Sequence, residues 1–164
     1  MNKKVHILLP DIRSAYNVGS IFRSADCLGI DAIYLYGTTP VPVDRFGRSH
    51  AGPQKEIAKT ALGAEKTIFW EKIDNLNKFL KDKKKDNFTI VSIEQDSKSI
   101  SIKEFIKIKK DKNIEKVLII FGNEVDGIGK DILKKSDYII EIPMKGNKES
   151  LNVSVCAGLI MYLL

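Results

Sequence analysis

The chain has 164 residues, 43% of them hydrophobic, with a mean hydropathy of −0.14, which suits one soluble globular domain able to bury a normal core. No apolar run is long enough to span a bilayer, and the first residues read as a strand rather than a secretion signal; two cysteines form neither a disulfide framework nor a metal-binding CxxC, so a cytoplasmic protein without a metal is expected. Twenty-seven basic against 21 acidic residues leave a net charge of +6, which favours an anionic partner.

Residues 5–9 form the first apolar run of strand length, with His6 as a core or edge residue. A polar stretch carrying Arg13 leads to a helical pattern over 18–28, which contains Arg23 and Cys27 and ends at Gly29, where a helix C-terminal glycine belongs. A second strand is expected over 32–36. Residues 37–52 are rich in Gly, Pro, Thr and Arg and lack periodicity, so they read as a long loop of the functional kind. Further strands are expected over 88–93, 117–121 and 138–142, and helices over 73–83, 102–109, 130–135 and 153–164. Ser101-Ile-Lys-Glu104 is a capping-box pattern for one of them. Cys27 and Cys156 both fall in apolar helical patterns, where thiols are usually buried. Apolar strands alternating with helices predict an α/β fold, a mostly parallel sheet with helices on both faces.

The basic residues divide into two kinds. The lysine runs Lys81-Asp-Lys-Lys-Lys-Asp86 and Lys107-Ile-Lys-Lys-Asp-Lys112 read as solubilising surface. The four arginines, Arg13, Arg23, Arg45 and Arg48, all lie in the first third of the chain and flank expected loops. A guanidinium fork matches phosphate geometry better than an ammonium does, so Arg13, Arg45 and Arg48 are candidate RNA contacts. His50 has no nucleophile pattern beside it and is at most a further contact of that kind.

Three segments share the order strand, polar loop, helix. The first holds Asn17-Val-Gly19 and Arg23, an N-x-G-x-x-x-R pattern; the second is Gly122-Asn-Glu124-Val-Asp-Gly-Ile-Gly; the third runs from Ile139 through Ile142, Met144 and Ser150-Leu151-Asn152-Val-Ser to Leu164. Neither GxGxxG nor GxxxxGK[ST] is present, so a nucleoside ligand without polyphosphate fits better than a dinucleotide or a nucleoside triphosphate. Each residue also has a structural reading. Asn17 suits a helix cap, Gly122 a turn, and Glu124 a helix-start charge, while Ser150 or Asn152 would cap the last helix. Arg23 has Asp26 at i+3 as a possible ion-pair partner.

In order and position along the chain, these three segments resemble the three motifs of the SpoU/TrmH branch of the SPOUT superfamily of RNA methyltransferases. The resemblance implies a SPOUT domain over residues 1–164 with a C-terminal trefoil knot and no added RNA-binding domain. It further implies a homodimer whose active site is completed at the subunit interface. The implied cofactor is S-adenosylmethionine, held at Gly122, Ile142, Met144 and Leu151. The implied catalytic residues are Arg23, Asn17, Glu124, Ser150 and Asn152. The reaction would be methylation of a ribose 2′-hydroxyl in structured RNA, tRNA before rRNA, with base methylation a more distant possibility. A guanidinium ionises above about pH 12, so Arg23 suits a phosphate and alkoxide clamp better than a base. A non-catalytic RNA-binding relative that keeps the fold is the alternative, and an unrelated α/β nucleotide-binding enzyme is a third reading.

Overall fold

Strand β1 (Lys4–Pro10) explains the layering of the molecule. Its side chains alternate between two faces, so Ile7 and Leu9 enter one apolar core and Leu8 enters another. The chain continues through α1 (Ala15–Cys27), β2 (Ala32–Tyr36), α2 (Gly52–Ala61), α3 (Ala64–Thr67), β3 (Phe69–Ile73) and α4 (Leu76–Lys85). It ends with β4 (Thr89–Ile93), β5 (Ile100–Ser101), α5 (Ile102–Asp111), β6 (Lys116–Phe121), α6 (Lys130–Leu133), β7 (Tyr138–Glu141) and α7 (Val153–Leu163). The computed structural model describes residues 3–164 apart from 45 and 50, so Arg45 and His50, two candidate RNA contacts, lie outside the described residues.

The seven strands form one sheet in the order β3-β2-β1-β6-β4-β7-β5, and each neighbouring pair runs parallel. On one face α1, α2, α5 and α7 pack through Phe22, Ile57, Phe105 and Ile160; on the other, α4 and α6 pack through Leu80 and Ile132. The expected fold class is therefore observed. From β1 the sheet grows to β2 and β3 on one side and to β6 on the other, which puts the switch in strand order beside β1. In such sheets the crevice for a ligand opens at the C-terminal ends of the strands nearest the switch.

Local chemistry fixes the ends of the helices that point at this crevice. Ser14 caps α1, its hydroxyl accepting from Asn17 N at 3.3 Å, so Asn17 is released from the capping role. The other end of α1 closes with Ile30 N bonded to Ala25 O at 3.0 Å and Gly29 N to Asp26 O at 3.3 Å, around Gly29 at φ +69°. Gly19 of the N-x-G-x-x-x-R pattern lets α1 approach α2: a Cβ there would collide with Thr60 Oγ1 and Ile57 O. On α5, Ser101 Oγ accepts from Glu104 N at 3.2 Å, as the capping-box pattern predicts.

Five elements depart from expectation. Helix α2 follows the long loop directly and was hidden by its narrow apolar stripe, for only Ile57 and Ala61 are buried in it. Strand β3 lies at the sheet edge with Phe69 and Glu71 exposed, so it lacks a buried apolar run. Ile73 ends β3 instead of opening a helix, and Asn75 caps α4 by accepting from Lys78 N at 2.9 Å. Strands β3 and β5 and helix α3 are too short or too exposed for a periodic signal. Cys27 is exposed rather than buried, at the C-terminal turn of α1. Among the described residues no helix is long and apolar enough to cross a membrane.

The first lysine run also holds a surprise. Lys83 is half-buried: its ammonium donates to His6 Nδ1 at 3.0 Å and Tyr34 OH at 2.9 Å, and lies 4.2 Å from the Tyr34 ring centre and 4.9 Å from that of Phe88. Because the ammonium donates to Nδ1, His6 is the neutral tautomer with its proton on Nε2. Burial, aided by the charge of Lys83, lowers the His6 pKa to about 4 from its ordinary 6.5, against an opposing pull from Asp31. Between those two values the unfolded chain binds a proton that the folded one refuses, so folding stability falls as pH is lowered from about 6.5 towards 4. Urea unfolding of wild type and His6→Gln at several pH values across that window tests this. The wild type should lose stability more steeply than the variant, by up to about one proton's worth of slope.

Candidate functional site

At the C-terminal edge of β4, β6 and β7 lies a cavity of about 440 Å³, within the range of small-molecule sites. Its walls come from four segments: the end of β4 with Glu94 and Gln95, the loop after β6 from Gly122 to Gly127, the loop after β7 with Ile142, Met144, Ser150 and Leu151, and the start of α7. Parallel strands deliver all these loops to one edge, which brings residues 94, 122 and 151 together.

The loop after β6 is tied on itself. Asn123 and Gly127 exchange backbone hydrogen bonds at 3.2 Å each, and Asn123 Oδ1 accepts from Val125 N at 2.9 Å and Asp126 N at 2.8 Å. A Cβ on Gly122 would sit 2.5 Å from Gly127 C and 2.8 Å from Ile128 N. The space that the missing side chain opens is therefore filled by the loop's own backbone. Glu94 Oε2 braces the same loop by accepting from Ile128 N at 2.8 Å.

That closed loop aims Glu124 at α1. Asn17 Nδ2 donates to Glu124 Oε1 at 2.7 Å, and Asn152 Nδ2 donates to Asn17 Oδ1 at 3.2 Å. Asn152 Oδ1 then caps α7, accepting from Ser154 N at 2.9 Å and Val155 N at 3.4 Å. Three positions spread across the chain are thus joined in one hydrogen-bonded row at the mouth of the cavity. Of the two candidate caps, Asn152 takes the role, and Ser150 lines the cavity two residues earlier. No helix starts at Glu124, since α6 opens only at Lys130; its carboxylate instead accepts from Arg13 N at 3.3 Å, beside the start of α1. Partial burial pushes the Glu124 pKa up, but the Asn17 side chain and backbone N–H groups including that of Arg13 outweigh it and hold it below the ordinary carboxylate range. At neutral pH Glu124 is an anion with little appetite for a proton. It is suited to orienting Asn17, not to acting as a base.

Gly122, Ile142, Met144 and Leu151 all line the cavity, as do Glu124, Ser150 and Asn152. Asn17 joins them through its hydrogen bonds. Arg23 does not: it is exposed on α1, outside the cavity lining, with no ion pair or hydrogen bond among the described residues. Its alternative partner, Asp26, instead accepts from Thr67 Oγ1 at 2.8 Å. Arg13 is held by Asp126 at 3.2 Å, an exposed pair of small energetic weight. Arg48 pairs with Asp44 at 2.8 Å and lies 4.8 Å from the centre of the Phe46 ring.

Sequence reading missed Glu94, Gln95, Glu141 and Cys156, which also line the cavity. The signal for Glu94 was available, for it is the first residue after a buried strand of an α/β sheet. Burial, and then the Glu94 charge, push the Cys156 thiol up to about 11, so it is neutral and no nucleophile. No group of three or more metal-ligating side chains occurs among the described residues.

A model of the SpoU rRNA methylase family matches residues 4–162. The chain is 28% identical over 162 residues to a tRNA (guanosine(18)-2′-O)-methyltransferase of Aquifex aeolicus (strain VF5), covering 98% of this chain and 68% of that one. It is 31% identical over 156 residues to a putative TrmH family tRNA/rRNA methyltransferase of Bacillus subtilis (strain 168), covering 95% of this chain but only 56% of that one. Among solved structures, an AdoMet-bound rRNA methyltransferase from Sinorhizobium meliloti superposes with a TM-score of 0.84 at 21% identity, over 99% of this chain and 56% of the other. An A. aeolicus TrmH/SpoU tRNA modifying enzyme does so with a TM-score of 0.79 at 26% identity, over 99% and 74%.

The row of side chains predicts a stability signature. Asn152→Ala removes both the α7 cap and the bond to Asn17, and should lower the melting temperature by about 2–4 °C, the equivalent of about 1 kcal/mol. Thermal melts of Asn17→Ala, Asn152→Ala and the double variant should show less than additive losses.

Proposed function

Because the chain belongs to the SpoU rRNA methylase family, we propose that it transfers a methyl group from S-adenosylmethionine to a ribose 2′-hydroxyl of structured RNA, tRNA before rRNA, in the cytoplasm. The observation that carries this reading is the Glu124–Asn17–Asn152 row, which joins the three motif segments at the mouth of one cavity. The cavity suits the cofactor. Ile142, Met144 and Leu151 offer apolar walls for the nucleoside, and Glu94, Glu124 and Glu141 offer negative charge for a cationic sulfonium and amino group. When bound, S-adenosylmethionine supplies an already activated methyl, so the protein's share of the chemistry is positioning and charge stabilisation.

In this reading Glu124 holds Asn17, and Asn17 with Ser150 and Asn152 borders the place where the ribose enters. Arg23 clamps the neighbouring phosphate and stabilises the alkoxide. Its distance from the cavity is explained by a homodimer in which a second copy brings Arg23 to the first copy's site. Exposed apolar side chains support that arrangement: Tyr16 on α1 is 43% exposed, and Val155, Leu159 and Tyr162 on α7 are 52%, 44% and 76% exposed. Helices α1 and α7 pack against each other, so these side chains can share one face. The trefoil knot belongs to the same reading. It is supported by a strand order in which β6 enters between β1 and β4, and β7 between β4 and β5.

The test is methyl transfer from labelled S-adenosylmethionine into unmodified tRNA and, separately, rRNA, with nucleoside mass spectrometry. A 2′-O-methylnucleoside is the expected product; no label in either pool despite measurable cofactor binding would refute the reading. Arg23→Ala should abolish transfer while the cofactor Kd, measured by calorimetry, stays within a few-fold, and Arg23→Lys should fail to rescue it. Tyr162→Asp should sediment as a monomer and lose activity if the site is shared between copies.

A further inference from the structure

We propose that Lys72 is a positioning residue for RNA: it fastens the root of the loop after β2 and so sets where Arg48, a residue it does not bond, presents its charge. This rests on the RNA methyl-transfer reading and adds to it a residue that need not touch RNA itself.

Lys72 lies on the edge strand β3, paired in register with Leu35 of β2. Its half-buried ammonium donates to Gly37 O and, at 2.8 Å, to Thr39 O. It makes no ion pair among the described residues. Burial lowers its pKa below the ordinary lysine value, against the pull of Asp11 and Asp74. A solubilising lysine keeps its ammonium in water. This one is drawn partly out of water to hold two carbonyls of a single loop.

The segment it holds is tied on the other side to the turn after β1. Thr39 is 2% exposed, and its hydroxyl donates to Leu9 O at 2.7 Å and accepts from Ile12 N at 3.0 Å. Thr38 donates to Asp11 Oδ1 from its N at 2.9 Å and its Oγ1 at 3.2 Å. Ile12 stands two residues before Ser14, the cap of the helix that carries Asn17. The root of the loop and the start of α1 therefore form one hydrogen-bonded body. Farther out the loop folds on Asp44, whose Oδ1 accepts from Phe46 N at 2.8 Å and Arg48 N at 2.9 Å and whose Oδ2 accepts from Arg48 Nε at 2.8 Å. The Arg48 side chain stays 68% exposed. Between root and tip, Gln54 of α2 donates to Val41 O at 3.3 Å. A self-folded tip on a short stem points where its stem points, and Lys72 grips the stem. Because β2 runs parallel to β1 and β1 to β6, this loop leaves the sheet at the same edge as the cavity.

The test is RNA affinity of the S-adenosylhomocysteine-bound protein by fluorescence anisotropy, using whichever of an unmodified tRNA and an rRNA fragment the wild type binds more tightly. Lys72→Met keeps the length of the side chain and removes its donors, whereas Lys72→Arg keeps donors for both carbonyls. Lys72→Met should weaken RNA binding about tenfold and raise KM for RNA in step, with kcat and the cofactor Kd within about twofold of wild type. Lys72→Arg should recover most of that loss. Adding Lys72→Met to Arg48→Ala should cost no more than about a further twofold, because both changes act through the same loop tip. Unchanged affinity in Lys72→Met, a loss that arginine does not recover, losses that add in the double variant, or an equal loss of cofactor affinity would each overturn the assignment. Failure of the underlying reading looks different. If the wild type binds RNA but transfers no methyl group, only the activity falls and the affinities still decide the role of Lys72; if it binds neither probe, both fall together.

Discussion

Parallel pairing between all neighbouring strands is the constraint on which the rest of this molecule depends. In a parallel sheet every strand ends at the same edge, so every loop that follows a strand is delivered there, whatever its place in the chain. The turn after β1, Glu94 after β4, Gly122–Gly127 after β6 and Ile142–Asn152 after β7 meet for this reason alone. Once they meet, short-range hydrogen bonds fix their mutual geometry. Asn17, on a helix anchored by Ser14 and pressed onto α2 at Gly19, becomes the bridge between a carboxylate from the β6 loop and the cap of α7.

The charge of the chain is arranged less simply than its total suggests. The lysine runs terminate α4 and α5, where positive charge complements the helix dipole, and those helix ends lie where β4 and β6 begin, at the sheet edge opposite the cavity. Several of these cations are committed to internal partners: Lys83 to His6 and Tyr34, Lys84 to Asp137 at 2.8 Å, and Lys109 to the Leu164 carbonyl at 2.6 Å. The cavity itself is lined by Glu94, Glu124 and Glu141. A net charge of +6 thus coexists with an acidic cavity.

Legibility from sequence followed burial. Strands β1, β2, β4 and β6 are nearly or fully buried, so they appear as unbroken apolar runs that periodicity finds. Edge strand β3 alternates exposed and half-buried residues and left no such run, and α2 buries only two side chains. The final helix was legible as apolar but not in its outcome. Val153, Ala157, Ile160 and Met161 are buried, whereas Val155, Leu159 and Tyr162 face solvent, a division that depends on which neighbours α7 meets. Gly122 suits a turn by its residue type, but which backbone it meets, Gly127 five residues along its own loop, is settled only by the fold.

By itself, the sequence determined the α/β class, the three strand–loop–helix segments and the residue types that gather at the cavity, because each of these is written in local order: apolar periodicity, capping residues and motif spacing. Tertiary structure alone decided the partners. That Asn17 answers to Glu124 and Asn152 rather than capping its own helix, that Asp26 bonds to Thr67 and leaves Arg23 free, and that Lys83 is drawn into an aromatic pocket are all contacts between residues 41 to 135 positions apart. No local pattern encodes such pairs, since which side chains meet is fixed only when the sheet order brings their elements together.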